Sequence, residues 1–341
     1  RTLEVKDCTV TSTKSDKAFL NIKNNLQTCD VTFSGTNTVT GLAEDATTGS
    51  VLYQVETTTV TESSGKTVKV KEKAADGTVK TVYKVDAPAV AKVGEEEFSS
   101  LTDAFAALTA ESHTLTLLNE SAWTYSNVYW KAGSQSGSAD TLMAAMAAAY
   151  AIDDSITIIC KPDATITKSG AHINVLGDIT IFANGADFGG NDLSIGTYKP
   201  ATNLETTVNV YDAKNLVVWG QPEVGRADIW NVSFVACKND GSNFLMYRGS
   251  ETATAKINLT MTGCTASGFS DSIVHTTADG SIVIKNCKFS NNCAPVNVAH
   301  KQAGTMTVAV EDCAFENCGT TNTTNDLNQY AAPVRVVNNS E

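Results

Sequence analysis

The stretch Ile282-Val-Ile-Lys-Asn-Cys-Lys-Phe289 is one copy of a phrase that recurs through the last third of the chain. Each copy alternates apolar and polar residues, then has Asn, Asp or Gly, and then Cys. The other copies are Ile257-Asn-Leu-Thr-Met-Thr-Gly-Cys264, Val308-Ala-Val-Glu-Asp-Cys-Ala-Phe315 and Asn231-Val-Ser-Phe234, the last with Val in place of Cys. Positions 232, 264, 287 and 313 are 32, 23 and 26 residues apart, a spacing typical of one repeat per coil of a solenoid.

The repeats predict a mainly β protein whose core is a right-handed parallel β-helix over residues 155–341. Short alternating segments rich in Val, Ile and Thr favour strands over helices, and stacked coils bury a continuous apolar column. We expect Cys264, Cys287 and Cys313 to stack in adjacent coils. A second column contains Cys237, Cys293 and Cys318, five or six residues after each phrase position. Three glycines are expected in turns: Gly268, Gly280 and Gly304.

Two phrases carry a resemblance to a known family. Lys285-Asn-Cys-Lys-Phe-Ser-Asn-Asn292 and Glu311-Asp-Cys-Ala-Phe-Glu-Asn317 resemble the strand-and-turn phrase of pectate-lyase-like right-handed β-helices. The segment Val93 to Leu108 resembles the entry segment of secreted bacterial β-helix surface proteins. The resemblance implies a short helix that caps the first coil and an extracellular or cell-surface location. The superfamily includes lyases, hydrolases, phage spikes and non-enzymatic adhesins, so the resemblance does not select an activity.

The residues also predict the cap directly. Ser100-Leu-Thr-Asp103 is similar to a helix capping box, and Leu101, Phe105 and Leu108 fall on one helical face. We therefore expect a capping helix over about 100–110 that covers the edge of the first coil. A second, Ala- and Met-rich helix is expected over 140–150, which makes 93–154 the cap region.

The start of the chain has the sequence of a late coil. Leu3-Glu-Val-Lys-Asp-Cys-Thr-Val10 matches the phrase that begins at Val308, and Val31-Thr-Phe33 is interpreted as repeating Cys8-Thr-Val10 after 23 residues. Residues 1–48 are therefore predicted to form β-helix coils. Residues 49–92 are predicted to be a small antiparallel unit followed by a connector, with Asp76-Gly77 as the hairpin turn.

The two ends of the chain predict assembly. Ala332-Pro-Val-Arg-Val-Val337 resembles Ala294-Pro-Val-Asn-Val298, which directly precedes the phrase around Cys313. Glu341 could therefore run into Arg1 of another copy, either in a head-to-tail homopolymer or in tandem modules of a longer protein. The residues expected at the junction are Leu3, Val5, Cys8 and Val10 on one side and Cys313, Phe315, Val334 and Val336 on the other.

Composition excludes several classes of protein. The net charge of −12 makes nucleic acid an improbable partner, and the longest apolar stretch, from Leu142 to Ile152, is too short to insert into a membrane as a helix. The nine cysteines form no CxxC pair and the four histidines are scattered, so we expect neither a metal nor a cofactor. Stacked free thiols are the expected arrangement of the cysteines, with local disulfides such as Cys287 to Cys293 or Cys313 to Cys318 as the alternative.

Two candidate sites have an alternative structural interpretation. Asp271, His275 and Asp279, with Lys285 and Arg248 in neighbouring coils, could serve a polysaccharide lyase or hydrolase, but Asp271 and His275 also suit the solvated face of a strand. The aromatic residues of the cap region could bind carbohydrate or cover the first coil; they are Trp123, Tyr125, Tyr129 and Trp130. The sequence favours a non-enzymatic extracellular fibre, stalk or adhesin, with itself as partner and glycans or a host surface as further partners.

Overall fold

The computed structural model describes residues 89–170, 172–196, 205–220, 227–247, 254–300, 304–319 and 332–338, together with the backbone of nine strands between residues 2 and 84. The chain divides into two compact units, one formed mainly by residues 1–90 and the other by the residues after them. Both units are mainly β, as the sequence predicts.

The first unit contains stacked parallel strands. Its strands are β1 (Thr2–Lys6), β2 (Thr9–Thr11), β3 (Leu20–Asn21), β4 (Asp30–Ser34), β5 (Thr38–Thr40), β6 (Leu52–Tyr53), β7 (Val60–Glu62), β8 (Val68–Lys73) and β9 (Val79–Lys84). Strands β1, β4 and β7 pair in parallel, as do β2 with β5 and β3 with β6 and β8. The parallel pairing within this unit is of the kind that stacked coils have.

The register of this unit corrects the predicted repeat. Leu3 is opposite Val31 and Val10 is opposite Val39, so Val31-Thr-Phe33 repeats Leu3-Glu-Val5 and not the segment around Cys8, which lies outside the described residues. The predicted antiparallel unit is confirmed only for the β8–β9 hairpin, because β6 and β7 continue the parallel stacks. Asp76 and Gly77 lie outside the described residues.

The second unit is a parallel β-solenoid of about five turns. It begins with β10 (Ala91–Val93), β11 (Glu96–Phe98, whose last residues belong to the first unit), α1 (Leu101–Ala107), β12 (Leu115–Leu117), the 3₁₀ turn Glu120–Ala122, β13 (Val128–Ala132), β14 (Gln135–Ala139) and α2 (Leu142–Tyr150). The coils follow with β15 (Ser155–Cys160), β16 (Ile173–Val175), β17 (Asp178–Phe182), β18 (Asp187–Ile195), β19 (Glu205–Tyr211) and β20 (Lys214–Gly220). The later coils contain β21 (Ala227–Val235), β22 (Lys238–Asp240), β23 (Leu245–Tyr247), β24 (Thr254–Thr262), β25 (Thr265–Ser267), β26 (Val274–Thr276), β27 (Asp279–Lys285), β28 (Lys288–Ser290), β29 (Val296–His300), β30 (Met306–Glu311), β31 (Ala314–Glu316) and β32 (Val334–Asn338).

Each late coil has three strands. The first strands form a nine-stranded sheet that ends at β30, and the second and third strands belong to an eleven-stranded sheet that ends at β31 and β32. Alternate side chains point into the solenoid, where Ile282, Ile284 and Cys287 are fully buried. The predicted parallel β-helix over 155–341 is thus confirmed for its described strands.

The helix that closes the solenoid is the second of the two predicted. Leu142, Ala145, Met146 and Ala149 of α2 are buried in the same core as the coils, and Thr141 caps its N-terminus by accepting a hydrogen bond from Ala144 N at 3.2 Å. The α2 helix lies on β13, β14 and β15. The first predicted helix forms as α1, shorter than expected, and packs on β10.

One predicted turn is wrong. Gly268 and Gly304 lie in bends, as expected, but Gly280 is inside β27, opposite Ile257 of β24 and Met306 of β30. A Cβ atom at Gly280 would be 2.1 Å from the Ile257 carbonyl oxygen, and the backbone φ is +125°. Gly280 is therefore required by the close approach of two coils.

Candidate assembly face

Among the described residues, the three strands of the last coil each have one edge that pairs with no other strand. Strands β30, β31 and β32 pair with β27, β28 and β29 on one side, and each is the last strand of its path among the described residues. We call this surface the end face. A row of backbone N–H and C=O groups without strand partners is a template for adding another strand.

The end face is also where the apolar column of the solenoid reaches the surface. In the preceding coil Phe289 is 1% exposed and Val298 is fully buried, whereas Val336 of β32, opposite Val298, is 55% exposed. The other inward-facing residues of the last coil are only half buried; these are Met306, Val308, Val310, Cys313, Phe315 and Val334. The structure therefore brings together all four residues predicted for this side of the junction: Cys313, Phe315, Val334 and Val336.

Aromatic and sulfur contacts continue the column up to the end face. The rings of Phe289 and Phe315 stack with centroids 5.3 Å apart. The Cys313 thiol lies 3.6 Å from the Ile284 carbonyl oxygen and 3.2 Å from that of Glu311. A further coil would bury these groups completely, as the coils below bury theirs.

The predicted cysteine column is confirmed, with one correction. The residues that follow Cys264, Cys287 and Cys313 each donate a backbone hydrogen bond to the carbonyl oxygen of the cysteine one coil before, so Cys237, Cys264, Cys287 and Cys313 stack. Cys237 takes the place predicted for Val232, which instead lies opposite Leu259. The second column therefore contains only Cys293 and Cys318 among the described residues, since Gly319 N donates to Cys293 O.

All seven cysteines in the described part of the chain are free thiols, so the alternative of local disulfides is wrong for them. Hydrogen bonding with Cys264 and burial raise the pKa of the Cys287 thiol well above its usual value. Burial also raises the pKa of the Cys313 thiol. The stacked cysteines thus act as small apolar core residues.

The outer face of the last coils carries a charge pair that sequence reasoning missed. Thr262, Lys285 and Glu311 occupy one outward column of successive coils. Lys285 Nζ lies 2.9 Å from Glu311 Oε2, and both side chains are about half exposed. The opposite charges at these positions are visible in the sequence, but the pairing requires the register. Glu311 is on the end face, with a lysine below it and no strand of the described residues above it.

The residues predicted as a catalytic group lie in different elements of the fold. Asp271 precedes β26 and accepts a hydrogen bond from Ser272 N at 2.7 Å, so it does not share a strand face with His275 as predicted. His275 is in β26, where its Nδ1 lies 3.3 Å from Asn297 Nδ2, and Asp279 begins β27 in the other sheet. Lys285 is paired with Glu311, and Arg248 lies outside the described residues.

The aromatic residues of the cap region form a packed cluster. Phe105 of α1 contacts the rings of Trp123, Tyr125 and Tyr129 at centroid distances of 5.6, 5.9 and 4.7 Å. Trp123 and Tyr129 are buried. Trp130 is not part of this cluster, because its ring lies over Gly137 of β14. These contacts pack Trp123, Tyr125 and Tyr129 against α1, and both interpretations, carbohydrate binding and coverage of the first coil, stay predictions.

No protein-family model, curated protein or solved structure matches this chain.

The part of the chain that the structure describes contains no group of three or more His, Cys, Asp or Glu side chains arranged to hold a metal ion. Among the helices that the structure describes, none combines the length and the apolar character needed to cross a membrane.

Proposed function

We propose that the protein is a structural subunit or module of an extracellular fibre, stalk or adhesin, joined head to tail by the addition of β-helix coils. The observation that carries the proposal is the end face, where three strand edges and the apolar column of the solenoid both terminate. Covering it would satisfy the backbone groups and bury the side chains. The resemblance to pectate-lyase-like β-helices of secreted bacterial surface proteins supports an extracellular location.

The first unit supplies matching coils. Its strands β1, β2 and β3 follow one another in the order of β30, β31 and β32, and each is the first strand of its parallel stack. In both units, each later coil therefore stacks on the coil that precedes it in the chain. A copy that places its first coil on the end face of another copy would continue both stacks, which is a strand addition. Because the two contacting surfaces differ, the contact is heterologous, and a heterologous contact that does not close into a ring propagates as a filament.

Thiol reactivity tests this proposal. We expect the half-buried Cys313 and Cys318 to react with a maleimide in monomers and Cys313 to react at least roughly tenfold more slowly in filaments, because accessibility controls thiol reactivity. Burial raises the pKa of Cys313, so its thiolate is scarcer than that of an ordinary cysteine and its alkylation should accelerate as the pH is raised. Mass spectrometry of the labelled peptides gives the rate at each site.

Buried thiols provide the internal control. Cys264 and Cys287 are fully buried within the subunit and should stay unlabelled, in monomers and in filaments, until the protein unfolds. Filaments, seen by electron microscopy, in which Cys313 reacts as fast as in monomers would contradict the proposal, because the end face would then be open in the assembled state.

The alternative function is a polysaccharide lyase or glycoside hydrolase of the β-helix type, or a carbohydrate-binding surface module. We expect incubation with polygalacturonate or alginate to yield neither unsaturated products nor new reducing ends. The reason is that Asp271, His275 and Lys285 each have a local partner, whereas cleavage requires an acid and a base that face each other across the substrate. Calcium-dependent release of either product, measured by absorbance or by a reducing-sugar assay, would decide for the enzyme.

A further inference from the structure

We infer that the first coil of one copy docks on the end face of another in a single register, with Leu3 opposite Val308 and Lys6 opposite Glu311. This inference rests on the proposed head-to-tail assembly and names the segment and the residue pairs that carry it. The partner is a second copy of this chain. Three independent features of the structure and sequence point to the same register.

The first feature is that strand boundaries coincide. In this register Lys6, the last residue of β1, is opposite Glu311, the last residue of β30. Strand β2 then lies over β31 along its whole length, with Thr9 opposite Ala314 and Thr11 opposite Glu316. The turn between the two strands is therefore equally long in both coils, and both stacks can pair without a bulge.

The second feature is that the apolar columns continue. Leu3 and Val5 take the positions above Val308 and Val310, which are inward-facing and only half buried. In the first unit the same two residues are opposite Val31 and Phe33, so the apolar pattern extends past the junction. A shift of one residue would instead bring Glu4 into an inward column.

A shift of two residues in one direction is excluded by a flanking charge. It places Asp7 over Val310, which would take an unpaired charge into the apolar column. Asp7 thus prevents slippage in that direction along a strand that apolar contacts alone would allow.

The third feature is charge complementarity on the outer face. Glu311 lies 2.9 Å from Lys285 below it, and the inferred register places Lys6 above it. The outward column then reads Lys285, Glu311, Lys6, with alternating charges in successive coils. Opposite charges on directly facing positions stabilise strand pairing, and like charges oppose it, so Glu311 also selects the partner strand.

Cysteine cross-linking between two different variants tests the register. One variant carries Glu4→Cys and the other Ala309→Cys, and the two are mixed, assembled and oxidised. Facing residues of neighbouring strands lie about 4.8 Å apart, within the range of Cα distances that a disulfide requires. We expect a covalent dimer of the two variants, identified by mass spectrometry of the linked peptides, with oxidised wild type as the baseline for the native cysteines.

The matched control pairs Glu4→Cys with Thr307→Cys. These positions would be offset by two residues, or about 8 Å, which is too far for a disulfide, so we expect at least roughly tenfold less dimer. Filaments that cross-link efficiently through Thr307→Cys but not through Ala309→Cys would overturn the register and leave the assembly intact. Absence of filaments and of any cross-link would overturn both. A cross-link within one chain that carries both Glu4→Cys and Ala309→Cys would overturn the exchange between copies.

Discussion

Chains that lack residues 1–48 are expected to form no filaments and to sediment as monomers. The deletion removes strands β1 to β5, which the proposed junction requires, while the solenoid that buries α2 and the coils keeps its own core. Loss of three strand pairs should raise the critical concentration by more than about 1,000-fold, equivalent to about 4 kcal/mol. Analytical ultracentrifugation and electron microscopy measure the result, and circular dichroism checks that the solenoid is folded.

The truncated chain provides a second test because it retains the end face. Added in small amounts to intact chains, it should accept a neighbour on its end face without being able to dock itself, and so should shorten the filaments.

Within intact chains, Val10→Asp should weaken assembly by burying an unpaired charge. Thr9→Asp, at the preceding position of β2, is its matched control, because the inferred register places it opposite the exposed and uncharged Ala314. Filaments of normal length from the truncated chain would rule out the mechanism.

The substitution Gly280→Ala should destabilise the solenoid strongly. Its Cβ would lie 2.1 Å from the Ile257 carbonyl oxygen, and a φ of +125° is available almost only to glycine. We expect a loss of roughly 3 kcal/mol in the free energy of unfolding, with a fall in Tm of roughly 5 °C or more. Chemical and thermal denaturation of the chain without residues 1–48 would measure the loss without interference from assembly.

Gly170→Ala is the matched control for this prediction. No atom lies within 4 Å of the Cβ position at Gly170, and its φ is not positive, so the free energy of unfolding should change by less than about 0.5 kcal/mol. If Gly280→Ala were as stable as Gly170→Ala, the coils at Ile257 and Gly280 would have to be farther apart than the structure places them.

The coils could be predicted from the sequence because some of their residue types favour one particular backbone conformation. Gly263, Asn286 and Asp312 precede stacked cysteines and have φ angles of 64°, 54° and 52°, a left-handed conformation that these residue types favour. Ala236 occupies the same position with a φ of 56°. Because alanine gives no such signal, the sequence pattern aligns Val232 with the later cysteines, whereas the structure places Cys237 there.

Features that depend on contacts between distant residues could not be predicted. The requirement for glycine at position 280 comes from a carbonyl group 23 residues earlier in the chain, whereas glycine in a sequence ordinarily indicates a turn. The pair formed by Lys285 and Glu311 depends on the register of two coils. The separation of Trp130 from the aromatic cluster depends on Gly137, since adjacent residues of a strand point to opposite sides.

The stacking of three parallel strands per coil determines how the solenoid would respond to a pulling force. The hydrogen bonds between β27 and β30, β28 and β31, and β29 and β32 run along the solenoid axis, because strands in a sheet are linked perpendicular to their own direction. Tension along a filament would therefore load all bonds at one coil boundary together. A junction built from the same three strand pairs would share that load as the boundaries inside each subunit do, so the fibre would have no mechanically distinct joint where one copy meets the next.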